Sequence, residues 1–298
     1  MNLDRNFWEM RAVTLVGGAM QNASWATCRR AGWWMGLLLF QVLKKRRQLA
    51  IENVRLAFPE QSEAAARQIA RRSVQNATMT LFEFVRMATA TPQEISDYAS
   101  WEGMEHFSDA LEKGHGALMM TAHLGNWEMM AALVAQSFPL DVVARPTSNQ
   151  GIQEQILRVR GHNGLKVISK HNGGRASLDA LKKNHVLGIV PDQYAGPDGM
   201  LLPFFGHPTR MVSSVARFSM MSGAPIVPTF GTRRRPWISD GRIVTRVSPG
   251  YVIENDRQRR EEIVREGTLR TIDDLENIIR RYPDNWLWLH RRWRSEDF

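Results

Sequence analysis

The sequence predicts an α/β fold, a mixed central sheet flanked by helices, with a helical region ahead of it. Two observations predict it. From Gly114 onward, short apolar runs alternate with helix-like stretches, the pattern of strands joined through helices. Before Gly114 the chain reads as helices, and the clearest of them covers Glu63–Arg86 (EAAARQIARRSVQNATMTLFEFVR). The chain has 298 residues, 43% hydrophobic and 23% charged, enough to bury a substantial core and too apolar for a disordered chain.

The elements follow in order. Glu63–Arg86 contains no Gly or Pro, Pro59 marks the turn before it, and Pro92 follows its end. Ala117–Ala122, Leu140–Ala144, Val186–Val190, Pro225–Phe230 and Arg242–Val247 read as strands. Ile152–Arg160, Ser213–Ser222 and Glu261–Tyr282 read as helices. In such sheets functional residues gather past the carboxyl ends of strands, and His123 and Asp192 both stand there.

The N-terminal region carries an apolar run, Ala31–Leu43, followed at once by Lys44, Lys45, Arg46 and Arg47. It is short for a membrane span, which needs about 20 residues, and Arg29 and Arg30 interrupt it upstream. Asp4 and Glu9 stand where a secretory leader would be basic. The run therefore reads as an interfacial or re-entrant helix with a basic end for anionic headgroups, or as a buried helix with a solvated end. The expected division is 1–60 as a helical, membrane-associated segment and 61–298 as the α/β domain.

A net charge of +9 suggests an anionic partner: nucleic acid, an anionic membrane, or an acidic protein or substrate. No zinc-finger spacing or RNA-binding aromatic signature supports nucleic acid, and none is expected to bind. The ten tryptophans suit a membrane interface as well as a core. A single cysteine, Cys28, excludes an internal disulfide framework and a cysteine-built zinc site.

The sharpest motif is TAHLGNWE. His123 and Glu128 are separated by four residues, and positions five apart do not face each other well on a regular helix. Across the Gly125–Asn126 turn they can converge. An imidazole would then take a proton from a hydroxyl while the carboxylate fixes its tautomer. A structural histidine at a strand end fits the same spacing. The HExxH spacing of zinc hydrolases is absent, and Gly196 and Gly199 make no dinucleotide or P-loop fingerprint, so no metal and no cofactor is expected. A second motif, VPDQYAGPDGMLLPFFG, offers Asp192 to order a basic partner, and Phe204 and Phe205 to line an acyl channel, or else a plain strand–loop–strand connection. Arg158 and Arg160 fit a solvated helix face or an anion clamp.

Taken together, several segments resemble a family. They are IENVRLAFPE, EGMEHFSDALEKGHGALMMTAHLGNWE, LRVRGHNGLKVI, VPDQYAGPDGMLLPFFG, SGAPIVPTFGTRR and YPDNWLWLHRRW. The chain is similar through most of its length to the lipid A biosynthesis acyltransferases of the lauroyl/myristoyl type, whose relatives include phosphatidylinositol mannoside acyltransferases. The resemblance implies a glycerolipid-acyltransferase-like fold and an enzyme on the cytoplasmic face of the inner membrane. That enzyme would move an acyl chain from acyl carrier protein, or from coenzyme A, to a hydroxyl of a glycolipid such as a lipid A precursor. It implies catalytic roles for His123 and Glu128, a functional arginine best matched by Arg160 with Arg158 as the alternative, and a functional aspartate at Asp192. Asn126, Arg158, Phe204 and Phe205 are the expected substrate contacts. Glycerophospholipid acyltransferases usually carry Asp as the acid and a Phe-Pro-Glu-Gly block; Glu128 and the missing block favour the glycolipid branch. The short apolar run departs from the longer N-terminal segment common in the family.

The expected mechanism has His123, oriented by Glu128, deprotonating the acceptor hydroxyl. Backbone N–H groups near Gly125, or an arginine, would stabilise the oxyanion. A thioester hydrolase using the same histidine, and a non-catalytic membrane-binding protein of the same fold, are the rival readings.

Overall fold

In the computed structural model the described residues are 17–18, 20–170, 173–256, 258–294 and 297; Asp4 and Glu9 fall outside them. Three helices come first: α1 (Trp25–Val42), α2 (Lys44–Ala57) and α3 (Glu63–Arg86). Ser24 and Ser62 cap α1 and α3, each side chain accepting an N–H from the first turn. Then come α4 (Pro92–Tyr98), β1 (Ala99–Glu102) and α5 (Glu105–Leu111). The α/β succession runs β2 (Ala117–Met120), α6 (Trp127–Ser137), β3 (Leu140–Ala144), α7 (Gln150–His162), β4 (Leu165–Ser169), α8 (Gly173–Lys182) and β5 (Val186–Ile189). A hairpin, β6 (Met200–Phe204) and β7 (His207–Met211), precedes α9 (Ser214–Ser222), β8 (Ile226–Arg233), β9 (Ile243–Val247) and α10 (Arg260–Arg281).

Seven strands form one sheet in the order β1-β9-β8-β2-β5-β3-β4. β8, β2, β5, β3 and β4 are parallel; β9 pairs antiparallel to β8, and β1 joins β9 in parallel. The central strands β2, β5 and β8 are buried at every position, as strands covered on both faces must be. Alternate residues of β2 feed two cores. Leu118 and Met120 join α8, α9 and α10 on one face, while Ala117 and Met119 join α6 on the other. Burial of a side chain such as Leu118 contributes roughly 1.5–3 kcal/mol. The sheet is thus mixed but parallel-dominated and flanked by helices. β1, β4 and β7 were not foreseen, while β6 matches the strand–loop–strand alternative for Val190–Gly206.

The apolar run of the N-terminal region lies within α1 except for Leu43, and α1 is packed along one side. Gly32 and Gly36 set α1 on the backbone of α3: a Cβ at Gly32 would stand 2.5 Å from Met79 Cα, and one at Gly36 2.5 Å from Gln75 Cα. On the outer side Trp34, Met35, Leu38 and Val42 remain exposed, together with Leu43 just past the helix. Among the described residues, no helix is long and apolar enough to cross a membrane.

Helix α3 crosses the carboxyl edge of the sheet. Its buried face carries Ser73, Asn76, Thr80 and Glu83, a polar row at helical spacing. The C-terminal segment returns to the same edge. Trp286 bridges Leu124, the Leu287 N–H donates to the His123 carbonyl at 3.0 Å, and Asn53 Nδ2 on α2 donates to the Trp288 and His290 carbonyls.

Candidate active site

Strands β2 and β5 lie side by side, but their onward connections part. β2 crosses through α6 to β3, whereas β5 leads through the hairpin and α9 to β8. The crevice between their carboxyl ends is the switch point of the sheet, where ligands of open α/β folds bind. The Thr121 N–H donates to the Ile189 carbonyl at 3.0 Å, and there the two chains separate. His123 and Asp192 face each other just beyond.

Asp192 receives His123 twice. The ring Nδ1 lies 2.8 Å from Oδ1, and the His123 backbone N–H donates to Oδ2 at 2.8 Å. Trp286 Nε1–H donates to Oδ2 at 2.8 Å. An ionised carboxylate can only accept, so Nδ1 carries the proton and Nε2 keeps its lone pair for chemistry. The His123 side chain is 24% exposed and that of Asp192 1%. Burial opposes protonation of His123, but the charge and hydrogen bond of Asp192 outweigh it and lift the imidazole above its ordinary 6.5; Glu128 adds to the lift and Arg160 subtracts. Complete burial pushes the Asp192 carboxyl upward, yet His123 and Trp286 hold it below its ordinary 3.8.

Glu128 does something other than orient the imidazole, which corrects the expected division of roles. It stands in the first turn of α6 and turns toward α7. Arg160 grips it through both branches, Nη2 to Oε1 at 2.7 Å and Nε to Oε2 at 3.1 Å. Trp127 Nε1–H also donates to Oε1 at 3.2 Å, and its ring sits edge-on to His123 at 5.1 Å between centroids. The planar fork of Arg160 matches the carboxylate and fixes both side chains. Among the described residues, no acceptor takes the Arg160 Nη1 donors.

The turn between His123 and Glu128 is clamped from behind. Gly125 has φ +60, and a Cβ there would lie 1.7 Å from the Gly231 carbonyl oxygen, so only glycine fits. Asn76 Nδ2 and Thr80 Oγ1 of α3 donate to the Gly125 carbonyl at 2.9 and 2.8 Å. The Gly125 N–H donates to the Asn285 carbonyl, and the Asn126 N–H to that of Gly231. Those backbone donors are therefore already committed, which corrects their expected use as an oxyanion hole. These α3 partners and Trp286 went unrecognised in the sequence. The signal was there in the polar row Ser73, Asn76, Thr80, Glu83, at intervals that place it on one helix face.

The expected substrate contacts divide. Asn126 is fully buried: its Oδ1 caps α6 at the Met129 N–H, and its Nδ2 donates to Glu83 at 2.7 Å, so it holds the turn rather than a ligand. Phe204 and Phe205, 0% and 6% exposed, pack with Trp286, Trp288 and Trp293 in the core instead of lining a channel. Phe205 and Gly206, both at positive φ, make the tight turn of the β6–β7 hairpin. Arg158 does reach a cavity. This cavity, about 770 Å³, runs between α3 and α7, with walls that include Leu81, Phe84, Val85, Ile152 and Ile156, and it ends at Trp127 and Glu128. Its volume falls in the range of about 300–1,000 Å³ usual for small-molecule sites.

A histidine–aspartate pair at the switch point of an open α/β sheet, with a cavity beside it, is the arrangement of an enzyme site. The chain belongs to the bacterial lipid A biosynthesis acyltransferase family, whose model matches residues 10–295. It is 27% identical over 274 residues to the lipid A biosynthesis lauroyltransferase of Escherichia coli (strain K12), covering 89% of this chain and 85% of that one. It is 24% identical over 267 residues to the lipid A biosynthesis palmitoleoyltransferase of the same strain, covering 89% and 84%. With a phosphatidylinositol mannoside acyltransferase of Mycobacterium tuberculosis (strain CDC 1551 / Oshkosh) it shares 28% over 132 residues, 43% of this chain and 42% of that one. The solved structure of the 1-acyl-sn-glycerophosphate acyltransferase PlsC from Thermotoga maritima aligns with a TM-score of 0.38 and 12% identity, over 83% of this chain and 98% of that one. That likeness is too distant to transfer any residue or role.

Proposed function

We propose that the protein transfers a fatty acyl group from acyl carrier protein or coenzyme A to a hydroxyl of a lipid A-type glycolipid, with His123 as general base. The observation that carries this is the His123–Asp192 pair at the switch point, with Nε2 bare and an apolar cavity ending beside it at Glu128. In the reaction Nε2 takes the proton of the acceptor hydroxyl as its oxygen attacks the thioester carbonyl. The C–O bond forms, the C–S bond breaks, and the imidazolium returns the proton to the thiolate, leaving an ester and a free thiol. Asp192 keeps the tautomer and stabilises the charged ring. Arg160, locked by Glu128, presents its Nη1 donors to the developing oxyanion.

The acyl chain occupies the cavity between α3 and α7, where each buried methylene is worth about 0.8 kcal/mol. On this reading the protein works on an anionic membrane, at the cytoplasmic face of the inner membrane; the exposed apolar side of α1 and the Lys44–Arg47 cluster support it. The net charge of +9 suits an acidic donor protein as well.

The test is transfer from an acyl thioester to a lipid A precursor in mixed vesicles, followed by mass spectrometry. His123→Ala should lose about 10²–10⁴ in rate while still binding vesicles. Full activity in that variant would sink the mechanism. Release of free fatty acid at a rate indifferent to the acceptor would make the protein a thioester hydrolase instead.

A further inference from the structure

A second cavity lies where α1, α3 and the β8–β9 connection meet. It has a volume of about 400 Å³, and its lining includes Trp33, Arg71, Arg72, Arg235, Trp237 and Asp284. It uses a different face of α3 from the cavity that ends at Glu128, and it plays no part in the chemistry proposed above.

Its charge is out of balance. Three guanidinium groups line it beside one carboxylate: Asp284 pairs with Arg72 at 3.7 Å and with Arg235. Two donors are unused. Arg71 Nε and Trp237 Nε1 are buried atoms with no hydrogen-bond partner among the described residues, and Trp237 as a whole is only 8% exposed. Buried N–H groups rarely go without an acceptor. The site therefore holds unused donors in its wall and surplus positive charge, which suits an anion with several acceptor oxygens. A phosphate has that chemistry, and arginine forks match it.

The surroundings say what carries the phosphate. Two indole rings wall the pocket. Trp33 stands edge-on to Trp34 at 4.6 Å, and Trp34, 62% exposed, begins the outward apolar side of α1. A phosphate bound here would lie beside a surface suited to hydrocarbon, with indoles at the boundary between them.

We propose that the Arg71–Arg72–Arg235–Trp237 pocket binds the phosphate of an anionic lipid headgroup. The assignment stands independently of the catalytic reading. It is tested by calorimetric titration of the full chain with short-chain phosphatidylglycerol below its micellar concentration, and with inorganic phosphate in parallel. Saturable binding of the lipid is expected. An Arg71→Gln/Arg235→Gln protein should bind it about tenfold or more weakly. Trp237→Phe, which keeps a ring and removes the N–H, should weaken it severalfold. His123→Ala should bind like the unaltered protein. Lys182→Gln/Lys183→Gln, which removes equal charge at an exposed site elsewhere, should leave it unchanged. Unaltered binding in both pocket variants, or an equal loss in the two double variants, would overturn the site. Inorganic phosphate binding as tightly as the lipid would overturn the lipid assignment.

Discussion

Glu83 and Arg233 form an ion pair with both side chains 0% exposed, joined by contacts of 2.6 and 2.8 Å. Tyr98 O–H donates to Glu83 at 2.8 Å, and Arg233 reaches Asn76 Oδ1 at 3.0 Å. Through Asn126 and Asn76 this pair holds the turn that carries His123 and Glu128. Removing one partner leaves a buried charge without compensation. Glu83→Leu or Arg233→Met should each destabilise by about 3–5 kcal/mol in urea unfolding, and the double substitution should cost less than the sum.

The pH dependence follows from His123 and Asp192. A general base must be neutral, so turnover should rise with pH through a midpoint above 6.5. Asp192→Asn removes the largest influence raising that value, so the midpoint should move downward and the plateau should fall by about 10²–10⁴. A rate profile of both proteins between acid and alkaline pH checks both effects. For stability the signs are opposite. The raised His123 group contributes fully below its unfolded value and loses that contribution as pH climbs through its folded one. The lowered Asp192 group contributes above 3.8 and loses it as pH drops through its folded value. The pair therefore stabilises the fold in the window between them.

Glu128 and Arg160 should act as one unit. Arg160→Lys keeps charge but loses the fork, and Glu128→Gln keeps shape but loses charge. In a double-mutant cycle on kcat/KM the two should be strongly non-additive, with a coupling of about 0.5–3 kcal/mol. Additive losses would mean that the two side chains serve separate steps.

The cavity between α3 and α7 should measure the acyl chain. Ile156→Trp fills part of it, and preference should shift to shorter acyl thioesters. Each methylene denied burial costs about 0.8 kcal/mol, roughly fourfold in kcat/KM. Competition between thioesters of graded length, read by product mass, checks this.

Much of the architecture was legible because strong periodicity writes it. Leu140–Ala144 and Glu63–Arg86 form the predicted elements with the predicted bounds. β4 was missed because LKVIS is an edge strand, half exposed and short, with little hydrophobic signal. Within the site, His123 and Asp192 were visible as strand-end residues, but their pairing was not. Partners far apart in sequence meet only because β2 and β5 are neighbours in the sheet, and local spacing carries no trace of that. The same limit explains Glu128, whose nearest charge in space comes from α7. Phe204 and Phe205 misled because an apolar pair beside a polar loop reads alike whether it lines a channel or fills a core.

The return of the Asn285–Leu287 segment to the edge that carries His123 and Asp192 has a consequence for biosynthesis. Asp192 gets its indole donor from Trp286, and the Gly125 and His123 backbones are zipped to Asn285 and Leu287. A polypeptide still being translated holds its histidine and aspartate long before these residues emerge. The site is thus completed only once Asn285, Trp286 and Leu287 have been made, and a chain cut before Asn285 has the histidine and aspartate without the frame that aims them.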